Sequence, residues 1–370
     1  MNTLALKIIG TPKHRVWSLD GKERLERTFA RVAKLDAAAN DVILIDGDWV
    51  LDGRLAKRLA AINEVVLIEA GEVAAIRLSS AENLDVAAGL IGKPEQAAKT
   101  LGVPVKTAIQ LAGTYNDELR KHETPTLIKL NGRNRAEAEK STFNASYKGV
   151  TDFVTKYCWP WPAYHFTRFC AAIGLTPNMV TTLSLVMTVL AFHLFWIGSF
   201  GWAIAVAWFM TFLDTVDGKL ARVTMTYSAW GNIYDHGIDL IHPPFWYWAW
   251  AVGLTATGQA GDDQLLLVSL YIVIGGYVLG RVIEGIFIQK FDMHIHVWRP
   301  IDSFMREITA RRNPNVAILM AFTLFSSPLL GFHFVALWTI LCTVFHGVRL
   351  LQAMKFGARG GEFTSWLDAA

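Results

Sequence analysis

The sequence has few cysteines, little net charge and no recognisable export signal. Its three cysteines, Cys158, Cys170 and Cys342, lack the spacing of a metal site or a disulfide framework, so we expect them to be reduced and structural. The formal net charge is only +3, and we expect no nucleic-acid partner. The first residues lack a basic stretch followed by an apolar block and a small-residue cleavage site, so we expect no secretory signal.

Long apolar runs are missing from residues 1–150 but dominate residues 176–350. The first stretch is charged and mixed, whereas the second raises the mean hydropathy of the chain to +0.30. This asymmetry predicts a soluble α/β domain at 1–145 and an α-helical polytopic membrane domain at 176–355, which a cytoplasmic tail at 356–370 follows.

Residues 146–175 connect the two predicted domains and mix aromatic with basic side chains, including Trp159 and Trp161. This composition predicts an interfacial amphipathic helix on the membrane surface, broken at Pro160 and Pro162. A soluble helix packed on the first domain is the alternative, because tryptophan is also a normal core residue.

The apolar runs are long enough for six membrane-spanning helices, since about 20 residues cross the hydrocarbon core of a bilayer. We expect these spans at roughly 176–198, 201–220, 228–257, 264–289, 314–331 and 333–353. Basic residues concentrate in the connection at 289–315 and in the tail, whereas the loop at Asp262 and Asp263 is acidic. The positive-inside rule therefore places both termini and the residues near 214–239 at the cytoplasmic side. We expect the membrane to be the bacterial inner membrane.

The first domain has the pattern of an open, mostly parallel α/β sheet, because short β-branched runs alternate with amphipathic segments. The predicted strands are 4–9, 41–46, 65–69, 73–77 and 126–130, and the predicted helices are 23–35, 54–62, 94–100 and 105–119.

Four aspartates lie in one of the most apolar parts of the sequence. Asp214 and Asp217 are three positions apart, and Asp235 and Asp239 are four apart, so each pair shares one helix face. Two helices joined by a turn near 223–227 would bring the four carboxylates together. Charged groups at membrane depth are costly, and they normally face a cavity, a partner or a metal.

Four clustered carboxylates would repel one another, and a hard divalent cation removes that repulsion by binding their oxygens. Arg222 could clamp a phosphate or pair with an aspartate. One alternative is an ion network that only positions two helices, but four aspartates against Arg222 and Lys219 leave surplus negative charge. A metal-regulated transporter is a second alternative, although the sequence shows no internal repeat.

From Asp214 to Asp239 the sequence reads D-x2-D-G-x2-A-R-x8-G-x3-D-x3-D. At every position it resembles the signature of the CDP-alcohol phosphotransferases, also called CDP-alcohol phosphatidyltransferases. The resemblance covers about residues 176–349 and includes Thr176-Pro177-Asn178 at the start of the first predicted span. Members of this family are integral membrane enzymes that move a substituted phosphate from a CDP-linked donor to an acceptor hydroxyl and release CMP.

The resemblance implies a role for each residue of the pattern. One or two divalent ions, Mg²⁺ or Mn²⁺, would be held on the donor pyrophosphate by Asp214, Asp217 and Asp235, and Asp239 would share the second ion. Asp239 would also be the catalytic general base for the acceptor hydroxyl. The residues implied to bind CDP are Asp214, Gly218, Ala221, Arg222 and Gly231.

The stretch from Trp298 to Asn315 resembles the branch that contains inositol-phosphate cytidylyltransferase and di-myo-inositol phosphate phosphate synthase. Two-domain members of that branch carry a nucleotidyltransferase-like domain that makes the CDP-linked donor. Asp46-Gly47-Asp48 is similar to its metal-binding step, although an Asp-Gly turn could account for these residues as well. The glycine-rich G-x-G-x-R loop of those enzymes is replaced here by Gly10-Thr11-Pro12-Lys13-His14-Arg15, so we expect a degenerate, inactive domain.

Arginines in and after the fourth predicted span suggest an acceptor that itself carries phosphate, because guanidinium groups bind phosphate bidentately. The acceptor-phosphate residues that we predict are Arg281, Arg299, Arg311 and Arg312. The loop arginines could instead only set orientation and touch anionic lipids. The alternative for Arg281 is an ion pair with Glu284.

The sequence therefore predicts a metal-dependent membrane transferase of phospholipid biosynthesis. We favour CDP-diacylglycerol as the donor and a phosphorylated polyol, such as inositol phosphate or glycerol phosphate, as the acceptor. A soluble CDP-inositol-type donor, which would yield a phosphodiester of inositol phosphate, is the alternative. The resemblance also implies a homodimer in contact with membrane lipids.

Overall fold

The computed structural model describes residues 3–91 and 93–368. They divide into two compact units. The first unit consists of Met1–Tyr147, Arg168–Gly174 and Lys219–Thr226. The second unit consists of Lys148–Thr167, Leu175–Gly218 and Tyr227–Ala370.

The first unit is built from short strands and helices. Its strands are Thr3–Ile9 (β1), Lys34–Leu35 (β2), Val42–Asp46 (β3), Trp49–Leu51 (β4), Val65–Glu69 (β5), Glu72–Leu78 (β6), Val105–Thr107 (β7), Tyr115–Asn116 (β8), Lys121–His122 (β9) and Leu127–Lys129 (β10). Its helices are Gly21–Ala30 (α1), Gly53–Ala61 (α2), Leu84–Leu90 (α3), Pro94–Leu101 (α4), Ala108–Ala112 (α5) and Arg135–Asn144 (α6).

The main sheet has the strand order β2-β1-β3-β6-β5-β7 and is mostly parallel, as predicted, with one reversed strand. β6 runs antiparallel to both of its neighbours, whereas the other pairings are parallel. The reason is the connection between β5 and β6, in which Ala70 and Gly71 both have positive φ, at 50° and 79°. Two such residues form a tight hairpin, which returns the chain antiparallel to the strand it leaves.

Two other predicted elements differ from the structure. The predicted helix at 105–119 is a strand, β7, followed by the single-turn helix α5, because Thr107 caps the helix in a capping box with Gln110 and Gly113 at φ 69° follows its last residue. The predicted strand at 126–130 is β10, which pairs with β4 outside the main sheet.

Helices cover both faces of this sheet. Ile43 and Ile45 of β3 lie in one apolar cluster with Leu25 and Leu55 from α1 and α2. Leu44, between them, belongs to a second cluster. Alternate residues of a strand point to opposite faces, so the first unit is a three-layer α/β fold, as predicted.

The second unit is helical. Its helices are Pro160–Ala172 (α7), Pro177–Trp196 (α8), Phe200–Val223 (α9), Ala229–Ala256 (α10), Asp263–Phe291 (α11), Pro300–Ile308 (α12), Arg312–Leu324 (α13) and Pro328–Ala358 (α14). The last residues of α7 and of α9 belong to the first unit. α7 begins at Pro160 and passes through Pro162 unbroken, because the first turn of a helix does not need the N–H groups that proline lacks. The predicted break therefore occurs only at Pro160.

Four helices in the described part of the chain, α8, α9, α11 and α14, are long and apolar enough to cross a membrane. Exposed apolar side chains line them, including Val189, Leu279 and Val344, and lipid would cover such surfaces. α10 carries the acidic residues Asp235 and Asp239, and α13 has 13 residues against the about 20 that a bilayer requires. The six predicted spans thus remain a prediction beyond these four.

The residues after α14 belong to the second unit and pack against its other residues. The ring of Phe363 stacks on that of Phe291, with centroids 4.1 Å apart. The indole N–H of Trp366 donates to the Ser303 hydroxyl at 2.9 Å. The predicted cytoplasmic tail is therefore ordered against the connection between α11 and α13.

An aromatic core joins the ends of α8, α9 and α10. The ring of Trp250 stacks on Phe195 and Phe200, with centroids 5.0 and 5.2 Å apart. One turn further, Gly253 lies so close to the end of α8 that a Cβ atom would be 2.0 Å from the carbonyl oxygen of Phe195. Only glycine permits this approach of two backbones.

We therefore expect Gly253→Ala to destabilise the second unit by about 1–3 kcal/mol, the usual range for overpacking, because the clash is with backbone. The apparent thermal melting midpoint of the purified protein in detergent measures the effect. Gly237→Ala, in the same helix, is the matched control, since its Cβ would meet nothing within 4 Å. Equal midpoints for the two variants would contradict the packing described here.

Candidate metal and acceptor site

Two consecutive helices carry the acidic residues. Asp214 and Asp217 lie in α9, and Asp235 and Asp239 lie in α10. Between the helices the chain reverses through Met225 at φ 54°, and the Ser228 hydroxyl accepts a hydrogen bond from the Gly231 amide, which caps α10. The helix pair and turn predicted from the spacing are thus present.

Carboxylate oxygens of Asp214, Asp217 and Asp235 all lie within 4.8 Å of one another. Asp217 is the most buried of the three, and its Oδ2 accepts a hydrogen bond of 2.5 Å from the Thr181 hydroxyl. Its Oδ1 is buried without a hydrogen-bond partner among the described residues. An orphaned carboxylate oxygen among other carboxylates is what a hard divalent cation would satisfy, so these residues fit a metal ion.

Asp239 lies outside this group of three. One of its oxygens, Oδ1, accepts a hydrogen bond from Nη1 of Arg312, and Nη2 of the same guanidinium donates to Oδ2 of Asp214. A single arginine therefore bridges the acidic cluster and Asp239. The predicted role of Asp239 as a further metal ligand remains a prediction.

The start of α8 meets the start of α10. The Thr176 hydroxyl accepts from the Met179 amide and Pro177 occupies the first helical turn, as the Thr-Pro-Asn sequence predicts. A Cβ atom at Gly231 would lie 2.8 Å from Oδ1 of Asn178. Any larger residue at this position would therefore displace the Asn178 side chain.

A pocket of about 90 Å³ opens beside Asp239. Four arginines contribute to its lining, namely Arg281, Arg306, Arg311 and Arg312. Their positive charge suits an anionic ligand. Three of the four predicted acceptor-phosphate residues thus meet at one pocket, and Arg306 is a fourth arginine that sequence reasoning assigned only to membrane orientation.

Glu284 holds two of these arginines in place. Its carboxylate pairs with Arg311 and, at 3.5 Å, with Nη1 of Arg281. It also accepts a hydrogen bond of 3.1 Å from Nε2 of His296. Burial keeps the pKa of His296 well below its ordinary value, although its bond to Glu284 acts in the opposite direction, so the ring is a neutral donor. Arg281 therefore has the ion pair that was its alternative role, and it lines the pocket as well.

Asp152 and Asn313 also line the pocket, and sequence reasoning assigned neither of them to a site. Nδ2 of Asn313 donates to Oδ1 of Asp152 at 2.9 Å. Burial raises the pKa of Asp152, but the charge of Arg306 and hydrogen bonds from Asn313 and Thr155 outweigh it, so the pKa lies below its ordinary value. The signal in the sequence that could have indicated Asp152 was an aspartate within the aromatic 146–175 segment.

Arg299, the remaining predicted acceptor residue, does not line this pocket. Its guanidinium lies over the ring of Trp298, 4.7 Å from the centroid. Its amide donates to Oδ2 of Asp302 at 3.1 Å, which caps α12. The side chain is thus committed to the surface of the α11–α13 connection, and the prediction for Arg299 is corrected on this ground.

Ala221 and Arg222, which the family resemblance implies in CDP binding, belong to the first unit. There Arg222 lines a cavity of about 180 Å³ together with Arg24 and Asp52. Nη2 of Arg24 donates to the carbonyl oxygen of Trp49 at 3.0 Å, and burial lowers the pKa of Arg24 to about 10. The CDP-binding role of Ala221, Arg222, Gly218 and Gly231 remains a prediction.

The turn after β3 in the first unit is closed tightly. Oδ1 of Asp46 accepts from the Asp48 amide at 3.0 Å, which is the capping role that an Asp-Gly turn allows. A Cβ atom at Gly47 would lie 3.1 Å from the Pro12 ring, and one at Gly21 would lie 2.0 Å from the Gly47 carbonyl oxygen. Proline and the start of α1 therefore pack directly on this turn.

The fold and the site define an integral membrane protein with an acidic cluster that fits a divalent cation. Residues 174–348 match the CDP-alcohol phosphatidyltransferase family. The chain therefore carries a domain of that family, whose members transfer substituted phosphate groups, and the resemblance noted over about 176–349 is confirmed.

Two relatives illustrate the likeness. Archaetidylinositol phosphate synthase from Pyrococcus horikoshii is 33% identical over 78 residues, which are 21% of this chain and 42% of that protein. The chain thus spans less than half the length of this relative. The crystal structure of phosphatidylinositol phosphate synthase from Mycobacterium tuberculosis with CDP-DAG bound has 18% identity and a TM-score of 0.41, covering 51% of this chain and 92% of that chain.

Thr181 orients Asp217, so we expect Thr181→Val to weaken Mn²⁺ binding roughly 10- to 100-fold, the usual cost of removing a hydrogen bond to a metal ligand. Electron paramagnetic resonance of Mn²⁺ titrated into the purified protein measures the affinity. Thr182→Val is the matched control, because that hydroxyl donates to the carbonyl oxygen of Asn178 at 2.8 Å. An unchanged affinity in Thr181→Val would contradict a metal at Asp217.

Proposed function

We propose that this protein transfers a substituted phosphate from a CDP-linked lipid to a phosphorylated polyol and releases CMP. The observation that carries the proposal is the position of Asp239, whose side chain lines the arginine pocket and shares Arg312 with Asp214 of the acidic cluster. A group able to accept a proton thus lies between a site for the donor pyrophosphate and a site for an acceptor phosphate.

On the donor side, Asp214, Asp217 and Asp235 would hold the divalent ion, Mg²⁺ or Mn²⁺. When bound, such an ion would neutralise charge on the pyrophosphate, which is the main requirement of phosphoryl transfer. Gly231 keeps the start of α10 free of side-chain bulk next to Asn178. This bare backbone supports the approach of the CDP group there.

On the acceptor side, Arg281, Arg306, Arg311 and Arg312 would bind the phosphate of the acceptor in the pocket beside Asp239. The acceptor hydroxyl attacks the donor phosphorus, a new P–O bond forms and the bond from that phosphorus to the CMP oxygen breaks. Asp239 takes the hydroxyl proton as general base, and CMP leaves.

For the acceptor we favour inositol phosphate, because both relatives are named for inositol phosphate lipids and the pocket has the charge for a phosphorylated polyol. For the donor we favour CDP-diacylglycerol or another CDP-linked lipid, since exposed apolar helices give a lipid donor access. A soluble CDP-inositol-type donor is the alternative that the experiment below distinguishes.

We further propose that the active site and both termini face the cytoplasm of a bacterial inner membrane, where CDP-linked donors are made, and that the protein is a homodimer. The first unit would not transfer CMP itself, because the stretch that replaces the glycine-rich loop of an active domain contains Pro12, and Pro12 packs on the turn at Gly47. CMP transfer from CTP by the full chain would overturn that part of the proposal.

The test of the function is CMP release by the purified protein in Mg²⁺ or Mn²⁺. CDP-diacylglycerol and CDP-inositol would each be combined with inositol phosphate, glycerol phosphate and serine. We expect turnover with CDP-diacylglycerol and inositol phosphate, none in Asp235→Ala, and none in Asp239→Asn although that variant still binds the donor. Turnover only with CDP-inositol would select the alternative, and near-normal turnover in Asp239→Asn would refute its role as base.

Arg281 lines the pocket and Arg299 does not, so substitutions at the two positions should differ in their effect on the KM for the acceptor. We expect Arg281→Ala to raise the KM for the acceptor roughly 10- to 100-fold, the cost of a lost charge-assisted hydrogen bond, with little change in the KM for the donor. Steady-state kinetics with each substrate varied in turn provide the measurement, and Arg299→Ala is the control. Equal changes in both KM values for Arg281→Ala would reject an acceptor role.

A further inference from the structure

Arg312 is the arginine of the pocket that touches the reacting centre. Its Nη1 donates to Asp239 and its Nη2 donates to Asp214. Arg281 and Arg311 are instead paired with Glu284, which lies in α11. The same guanidinium therefore faces three sites, namely the proposed base, a metal-cluster aspartate and the acceptor pocket.

These contacts compete with one another. The oxygen of Asp239 that accepts the guanidinium hydrogen bond is occupied by that bond, so a hydroxyl group cannot donate to it from the same direction. A phosphate in the pocket offers the guanidinium a stronger partner than a single carboxylate oxygen, because it carries more charge and binds bidentately. Filling the pocket would therefore draw Arg312 away from Asp239.

The residues that follow Arg312 hold the start of α13 in place. The next residue, Asn313, is anchored to Asp152 and to the Thr155 hydroxyl. Two residues further, Nδ2 of Asn315 donates to the Tyr247 hydroxyl at 2.7 Å. A change of partner for the Arg312 guanidinium would therefore involve its side chain and leave the helix backbone where it is.

We propose that Arg312 makes the transfer conditional on the acceptor: it holds Asp239 until the acceptor phosphate takes over its guanidinium. The inference rests on the function proposed above and deepens it. Water carries no phosphate, so it does not release Asp239, and hydrolysis of the donor is suppressed. In that side reaction a water oxygen would attack the donor phosphorus, the bond to CMP would break, the proton would go to Asp239, and CMP and a phosphate monoester would form.

The test uses the full-length protein and the variants Arg312→Gln and Arg312→Lys, with Arg299→Gln as the control outside the pocket. CMP release is measured with and without inositol phosphate, from whichever donor the unaltered protein uses. We expect Arg312→Gln to raise the rate of CMP release in the absence of inositol phosphate about tenfold, since a charge-assisted hydrogen bond to the base is lost. A variant that only binds the acceptor less well would leave this rate unchanged. Arg312→Lys should release CMP without inositol phosphate at a rate between those of the unaltered protein and Arg312→Gln. The reason is that one ammonium group cannot bridge both carboxylates as the forked guanidinium does.

A second readout does not depend on turnover. Without any substrate, Mn²⁺ affinity measured by electron paramagnetic resonance should rise in Arg312→Gln, because Asp214 no longer shares its charge with the guanidinium. A purely structural role for Arg312 would lower the affinity or leave it unchanged. Arg281→Gln should weaken acceptor use without raising hydrolysis, because Arg281 does not touch Asp239.

An unchanged rate of CMP release without inositol phosphate, or the loss of both hydrolysis and transfer in a variant that melts at the normal temperature, would overturn the inference. If Arg312→Gln does not fold, the rate of CMP release by Arg312→Lys without inositol phosphate decides, and a rate equal to that of the unaltered protein counts against the inference. If the unaltered protein releases no CMP in any combination, the proposed function fails instead. The Mn²⁺ titration then decides alone whether Arg312 restrains Asp214.

Discussion

Surplus negative charge between two packed helices is the constraint on which the site depends. Oxygens of Asp214, Asp217 and Asp235 lie within 4.8 Å of one another. The polar groups described around them include the Thr181 hydroxyl, the Arg312 guanidinium and the His236 imidazole. Carboxylates this close repel strongly where water is scarce. Positive charge relieves this repulsion, and a divalent ion and Arg312 are two sources of it. In the function proposed above, competition between these two links metal binding to the acceptor pocket.

Neutral hydrogen bonds, rather than further charges, hold α10 in the position that this constraint requires. The Tyr277 hydroxyl donates to the carbonyl oxygen of Leu240, next to Asp239, at 2.8 Å. Asn315 binds the Tyr247 hydroxyl two turns further along the helix. Because such bonds do not change the net charge near the aspartates, they orient the helix without competing for the cation or for the arginines. Charged groups are then left for the substrates.

Helical periodicity is why the acidic cluster, its two helices and the capped start of α8 could be predicted from the sequence. Asp214 and Asp217 share a face of α9 whatever the angle between α9 and α10. The distance of Asp239 from Asp214, Asp217 and Asp235 depends instead on how far α9 extends along α10. Four residues advance a helix by about 6 Å, which is enough to carry Asp239 beyond the other carboxylates. The pairing of each arginine with its acid, and the reversal of β6 at Ala70 and Gly71, depend on tertiary geometry that spacing does not report.

The first unit bears on whether this protein could make a CDP-linked donor itself. At the N-terminus of α1 the Asp20 carboxylate already accepts from the Glu23 amide at 2.8 Å, so an acid occupies the place where a nucleotide-binding helix would offer free N–H groups to phosphate. Glu23 adds a second acid in the first turn. Gly21 lies against the Gly47 carbonyl oxygen too closely for any side chain or ligand between them. Each feature opposes a triphosphate at this edge, which supports the proposal that the first unit does not transfer CMP itself.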